Sequence, residues 1–246
     1  MSGANGEAPR TVVIACHMLE DEVKAAMAAA GADYEVVWID EGLHVKPEKL
    51  RAAVQEAIDE VALRHGAGGR MPPLQKDGGQ DGDAGCVDRI LLAFGHCGGM
   101  ADGLAARGAE LVLPDVDDCI SLMLHPHRSG KETGVYYLTR GWMRSNTNAW
   151  CDYGRMAERH GAEKATKLLK RLLDAYRAVS LLKTGAYPAE DYEPEARRLA
   201  DWLELTYETS EGSVDWLADL FRGGGKTKGE RYLRAGPGQT LRVPLP

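Results

Sequence analysis

Val87-Asp-Arg-Ile-Leu-Leu-Ala-Phe-Gly-His-Cys-Gly-Gly99 decides how this chain is read. It is a strand-length apolar run, a glycine turn carrying a cysteine, and then the start of a new segment. The same grammar occurs upstream in Thr11-Val-Val-Ile-Ala-Cys16, where the apolar run closes on a cysteine and an Ala-rich segment follows. It occurs again downstream in Glu110-Leu-Val-Leu-Pro114, which a short acidic link joins to Cys119. Runs of this kind alternating with helix-like segments predict a parallel sheet with right-handed crossovers.

Working outward, the sequence predicts a helix from about Leu19 to Ala30, ended by Gly31, and a second strand over Tyr34–Ile39. Pro47 suits the first turn of a helix over about 47–65, with Leu50, Val54, Ile58 and Val61 at helical spacing. A short helix from Gly99 to Arg107 is expected before the fourth strand. Past Cys119, Ile120–Leu124 reads as helix, His125–Gly134 as a polar loop and Val135–Leu138 as a fifth strand. Residues 146–184 read as mostly helical, with an apolar stripe running from Leu168 through Tyr176 to Val179 and Leu182. Trp202–Tyr207 is a strand or a helix end, Val214–Phe221 a short helix. The runs 230–235 and 239–243 flank Gly236-Pro-Gly238 as a hairpin. The fold class is therefore α/β, a mostly parallel doubly wound sheet with a helical C-terminal half and a small C-terminal β-hairpin. It is expected as a single domain over 11–243, after a disordered 1–10. A flexible Gly-rich insertion is expected at 66–86, where Gly66–Gly85 holds seven glycines and no apolar period.

The chain has 246 residues, is 44% hydrophobic and carries a formal charge of -7. That balance argues against a nucleic-acid partner, which leaves a basic footprint. No run is long enough to span a membrane, and the first ten residues lack the apolar stretch of a signal peptide, so a cytoplasmic location is expected. Five cysteines there are reduced thiols, ligands or reactive groups, and an odd count does not close a disulfide framework.

In an open parallel sheet, ligands bind at the carboxyl ends of the strands. Cys16, Cys97 and Cys119 all fall there, so three sulfurs distant in sequence are candidate metal ligands. Three thiolates suit zinc or a [4Fe–4S] cluster and leave one position open, as a catalytic site requires. The competing reading is that each is a small buried hydrophobe. No CxxC pair is present, and Cys86 and Cys151 have no such placement. In Asp115-Val-Asp-Asp-Cys119, Asp118 is either a helix cap or an acid–base group, and His96 beside Cys97 is a second acid–base candidate. Gly95, Gly98 and Gly99 form a turn that lets a cofactor approach the backbone, or simply a tight turn. His125-Pro-His-Arg-Ser-Gly-Lys131 reads as a polar loop or as a lid over an anionic group. Gly223-Gly-Gly-Lys-Thr227 lacks the first glycine and the preceding strand of a P-loop.

At these residues the chain resembles the DUF1638 family, a bacterial and archaeal group defined as a domain of unknown function. The resemblance rests on Ala15-Cys16 with Leu19–Glu22, Phe94-Gly-His-Cys-Gly98, Asp117-Asp-Cys-Ile-Ser-Leu122, Gly134-Val-Tyr-Tyr-Leu-Thr-Arg-Gly-Trp142 and the C-terminal Gly-rich segment. It runs from about 11 to 243. The family's acidic motif reads His-Asp-Cys. Asp117 stands in place of that His, while Asp118 and Cys119 match. What the resemblance implies of partners is a corrinoid methyltransferase system. The residues themselves imply a small-molecule substrate, anionic or sulfur-containing. They point to an enzyme transferring a methyl or sulfur group at a metal–thiolate centre. Two further readings remain: a non-enzymatic metal or cofactor carrier, and a partner-binding module with cysteines in its core.

Overall fold

The computed structural model describes residues 9–65, 86–124, 131–223 and 232–244. The predicted segments 1–8 and 66–85, most of the 125–131 loop and most of the 223–227 glycine run lie outside the described residues. In chain order the elements are β1 (Thr11–Cys16), α1 (Glu20–Ala30), β2 (Glu35–Ile39), α2 (Pro47–Arg64), β3 (Arg89–Ala93), β4 (Glu110–Pro114) and α3 (Cys119–Leu124). There follow β5 (Val135–Leu138), α4 (Arg140–Arg144), α5 (Ala149–His160), α6 (Ala162–Leu172), β6 (Ala178–Lys183), α7 (Glu193–Leu203), β7 (Thr206–Glu211), α8 (Asp215–Phe221) and β8 (Tyr232–Ala235). No helix among the described residues is long and apolar enough to cross a membrane.

The first sheet has the order β2-β1-β3-β4-β8, parallel except for β8, which pairs antiparallel with β4. Its strands are apolar on both faces because both are covered. Val12, Ile14, Ile90 and Leu92 pack with Leu50, Val54 and Ile58 of α2 in one core. Val13, Ala15 and Leu91, one residue out of phase, pack with Val23 and Ala26 of α1 and Phe221 of α8 in another. Ile14 is fully buried; removing such a side chain from water is worth about 1.5–3 kcal/mol. α1 stops where expected: Gly31 takes the left-handed conformation at φ 65° and its N–H caps the carbonyls of Met27 and Ala28.

A second parallel sheet, β5-β6-β7, was not foreseen. Val135, Ala178 and Leu182 of its inner face join the same core as α1 and α8, so those helices lie between the sheets. Its other face packs Leu138, Val179 and Leu181 on Leu199 and Leu203 of α7 and Leu169 of α6. Val179 and Leu182, read as the end of a helical stripe, are thus strand residues. Ala178-Val-Ser-Leu-Leu182 is buried throughout and takes ladder bonds on both sides. The expected helix at 99–107 is also absent. The chain turns there, with Gly99 and Gly103 both at φ 83°, and Gly103 and Leu104 bond instead to Leu241 near the C-terminus. The C-terminal runs flank a turn, Gln239 N–H to Gly236 O, and find their partners on β4 and on residues 103–106.

The two sheets are locked together where α4 meets the turn that follows β1. A Cβ on Gly141 would lie 2.0 Å from the carbonyl oxygen of Met18, an approach only glycine permits. Beside this contact Glu22 is wholly buried. Thr184 Oγ1 donates to Glu22 Oε1 at 3.1 Å, and Oε2 has no hydrogen-bond partner among the described residues. Burial pushes the Glu22 carboxyl up to about 7, against the smaller opposing pull of hydrogen bonds to its charged form. Arg140 pairs with Asp21 at 3.3 Å and sits over the rings of Tyr187 and Tyr192.

Candidate functional site

Strand order 2-1-3-4 makes the gap between β1 and β3 the point where crossovers diverge, the usual crevice of an open α/β sheet. Cys16 is the last residue of β1, Cys97 lies in the loop after β3, and Cys119 opens α3 beyond β4. All three line one cavity of about 420 Å³ at this edge. Their charges would interact: Cys119 feels both Cys16 and Cys97, and Cys16 feels Cys97. The structure therefore brings together the three cysteines singled out in the sequence. Cys86 is exposed, and Cys151 lies in α5 near the carbonyl of Ser145.

Two of the three are held by loops laced to each other. His96 N–H donates to Val116 O at 2.7 Å and Cys97 N–H to Asp117 O at 2.8 Å. Gly95 fits against the neighbouring loop: a Cβ there would fall 2.4 Å from Asp118 Cα. Its lack of a side chain thus joins loop to loop rather than admitting a cofactor. Gly98 does line the cavity, and Gly99 faces open space. Cys97 is left-handed at φ 44°, a costly conformation for a side chain of its kind and one that the flanking bonds enforce.

Burial pushes the Cys16 thiol up to about 12 and that of Cys97 to about 11, and raises Cys119 well above its ordinary value. Backbone N–H groups oppose this: Met18 toward Cys16, and Gly95 and Cys119 toward Cys97. Without a cation these are neutral thiols and poor nucleophiles, which weighs against a bare cysteine–histidine mechanism. His96 serves elsewhere, its Nε2 3.2 Å from Asp115 Oδ1, and it is not part of the cavity lining.

Asp118 is a helix cap, and its second oxygen faces the cavity. Its Oδ1 accepts from Ser121 N–H at 2.8 Å and Ser121 Oγ at 2.9 Å, capping α3. Its Oδ2 pairs with Lys131 in the cavity. Although burial pushes the Asp118 carboxyl up, Lys131 and Ser121 together hold it below the ordinary value.

An aromatic wall comes mostly from the segments around the second sheet, joined by His44 from the turn after β2, and the sequence reading missed most of it. Trp142 Nε1 donates to Tyr136 Oη at 2.9 Å, Tyr136 meets Tyr176 edge-on at 5.4 Å, and His44 lies 5.2 Å from Trp142. These four rings make a continuous aromatic wall. Trp150, by contrast, packs on Trp202 at 5.0 Å in a core away from the cavity. Asp40 and Glu41 at the end of β2 complete the lining.

The donor set suits a thiophilic metal: three thiols, N–H groups turned toward the sulfurs, and an enclosed apolar setting. As placed, the sulfurs are not drawn into a closed ligand set, since no three His, Cys, Asp or Glu among the described residues are spaced to hold an ion.

No curated protein and no solved structure matches this sequence. One family does, described as "Protein of unknown function (DUF1638)", over residues 38–221. That stretch holds Cys97 and Cys119; Cys16 precedes it and is brought to them by β1. With about three quarters of its length matched, the chain belongs to the DUF1638 family.

Proposed function

We propose that this protein is a group-transfer enzyme in which Cys16, Cys97 and Cys119 hold a thiophilic centre, zinc or a [4Fe–4S] cluster. One observation carries the reading: three cysteines far apart in sequence line a single cavity at the switch point of the sheet. Such a centre supplies Lewis acidity and an open position for a sulfur or oxygen of the substrate. The chain's own residues do the rest. Backbone N–H groups at Met18, Gly95 and Cys119 stabilise charge on the sulfurs. The Asp118–Lys131 pair holds a cation close to the thiols without leaving it free to bind an anion. The aromatic wall gives the cavity an apolar lining beside the sulfurs' own. Methyl transfer, in which a corrinoid protein is the partner class, is the reaction this favours over sulfur transfer, because the wall is built for a substrate with apolar surface.

The test is elemental analysis and an absorption spectrum of untagged protein purified without oxygen, beside the three single Cys→Ser variants. Stoichiometric zinc, or iron with sulfide, lost largely from each variant, supports the proposal. Metal-free wild type, or full stoichiometry in all three variants, overturns it.

A further inference from the structure

We infer that the cavity binds a methylated onium cation, a quaternary ammonium or a sulfonium, with its methyl groups between the aromatic wall and the thiols. This rests on the proposed site and names its substrate class. The cavity holds three carboxylates, Asp40, Glu41 and Asp118, against one lysine, Lys131, and that lysine is already paired with Asp118. The enclosed charge is therefore negative, which disfavours the anionic substrate expected from the sequence. The same cavity is lined by Trp142, Tyr136 and Tyr176, each touching the next. The Trp142–Tyr136 hydrogen bond fixes two of these rings before any ligand arrives. Aromatic faces with carboxylates nearby attract a diffuse, weakly hydrated cation. A compact ammonium or a hard metal cation would instead want oxygen ligands, and the lining is mostly apolar. A volume of about 420 Å³ admits a trimethylammonium or dimethylsulfonium group with a short substituent.

The experiment is calorimetric titration of the whole protein with choline, trimethylsulfonium and the uncharged isostere 3,3-dimethyl-1-butanol. Both onium ions should bind, at least about tenfold more tightly than the alcohol, and their ratio tells ammonium from sulfonium preference. Trp142→Leu should weaken onium binding at least about fivefold. Glu41→Gln, which keeps the side chain's shape and removes its charge, should do the same in a smaller measure if Trp142→Leu fails to fold. Equal affinity for the alcohol and choline, or no onium binding at about 50 mM, overturns the inference, since cation–π sites in pockets bind more tightly than that. Metal content measured on the same samples separates the two claims. Retained metal without onium binding removes the substrate class alone; onium binding to metal-free protein removes the metal centre alone.

Discussion

Glu22→Gln should make the protein's stability far less dependent on pH. The carboxyl is wholly buried, Thr184 donates to one of its oxygens, and the second is unpartnered among the described residues. Burial raises it from an ordinary 4.5 to about 7. The sign follows from linkage. A group that binds its proton more tightly when folded stabilises the fold fully below pH 4.5 and loses that contribution as pH rises through about 7. The gap between 4.5 and about 7 is worth roughly 3 kcal/mol. Glutamine keeps the acceptor for Thr184 and replaces the bare oxygen with an amide whose cost does not change with pH. The difference between the two proteins is therefore read across pH, not at one value. Urea unfolding of both at pH 5 and pH 9 should show the variant gaining about 3 kcal/mol on the wild type over that interval. Parallel stability profiles would refute the reasoning, and with it the idea that the α1–α4 junction encloses a dry carboxyl.

Gly95→Ala places a Cβ 2.4 Å from Asp118 Cα. It should cost about 2 kcal/mol in urea unfolding and reduce metal retention by separating the Cys97 and Cys119 loops; unchanged stability would contradict the close packing. In metal-free protein at pH 7.5, Cys16, Cys97 and Cys119 should react with iodoacetamide at least about tenfold more slowly than exposed Cys86, as peptide mapping over time would show. Faster labelling at Cys97 than at Cys86 would mean the thiols are not held neutral.

The first sheet was legible because β1, β3 and β4 are continuous runs of Val, Ile, Leu and Ala, buried on both faces and bounded by glycine or acidic links. The second was not. Ala178–Lys183 follows a leucine-rich helix after a short turn, so its apolar residues extended the helical period by chance of spacing. Thr206–Glu211 is polar and half exposed, the sequence of an edge strand, and carries little pattern. The site divides the same way. The cysteines could be found because each ends or closely follows a legible strand. Tyr136, Tyr176 and His44 gave no signal, because aromatic residues are as common in cores as in pockets, and the sheet that carries the two tyrosines was unseen. The helix expected at 99–107 failed because two left-handed glycines and bonding to Leu241 outweighed its alanines.

The central claim is that three thiols act as one binding site, and a cadmium titration of reduced, metal-free protein tests it most directly. The ultraviolet thiolate-to-cadmium band should saturate at one equivalent with proton release, be unchanged in Cys86→Ser, and fall sharply in Cys16→Ser, Cys97→Ser and Cys119→Ser alike. A band that never saturates, or one that all three variants keep at full strength, would contradict it.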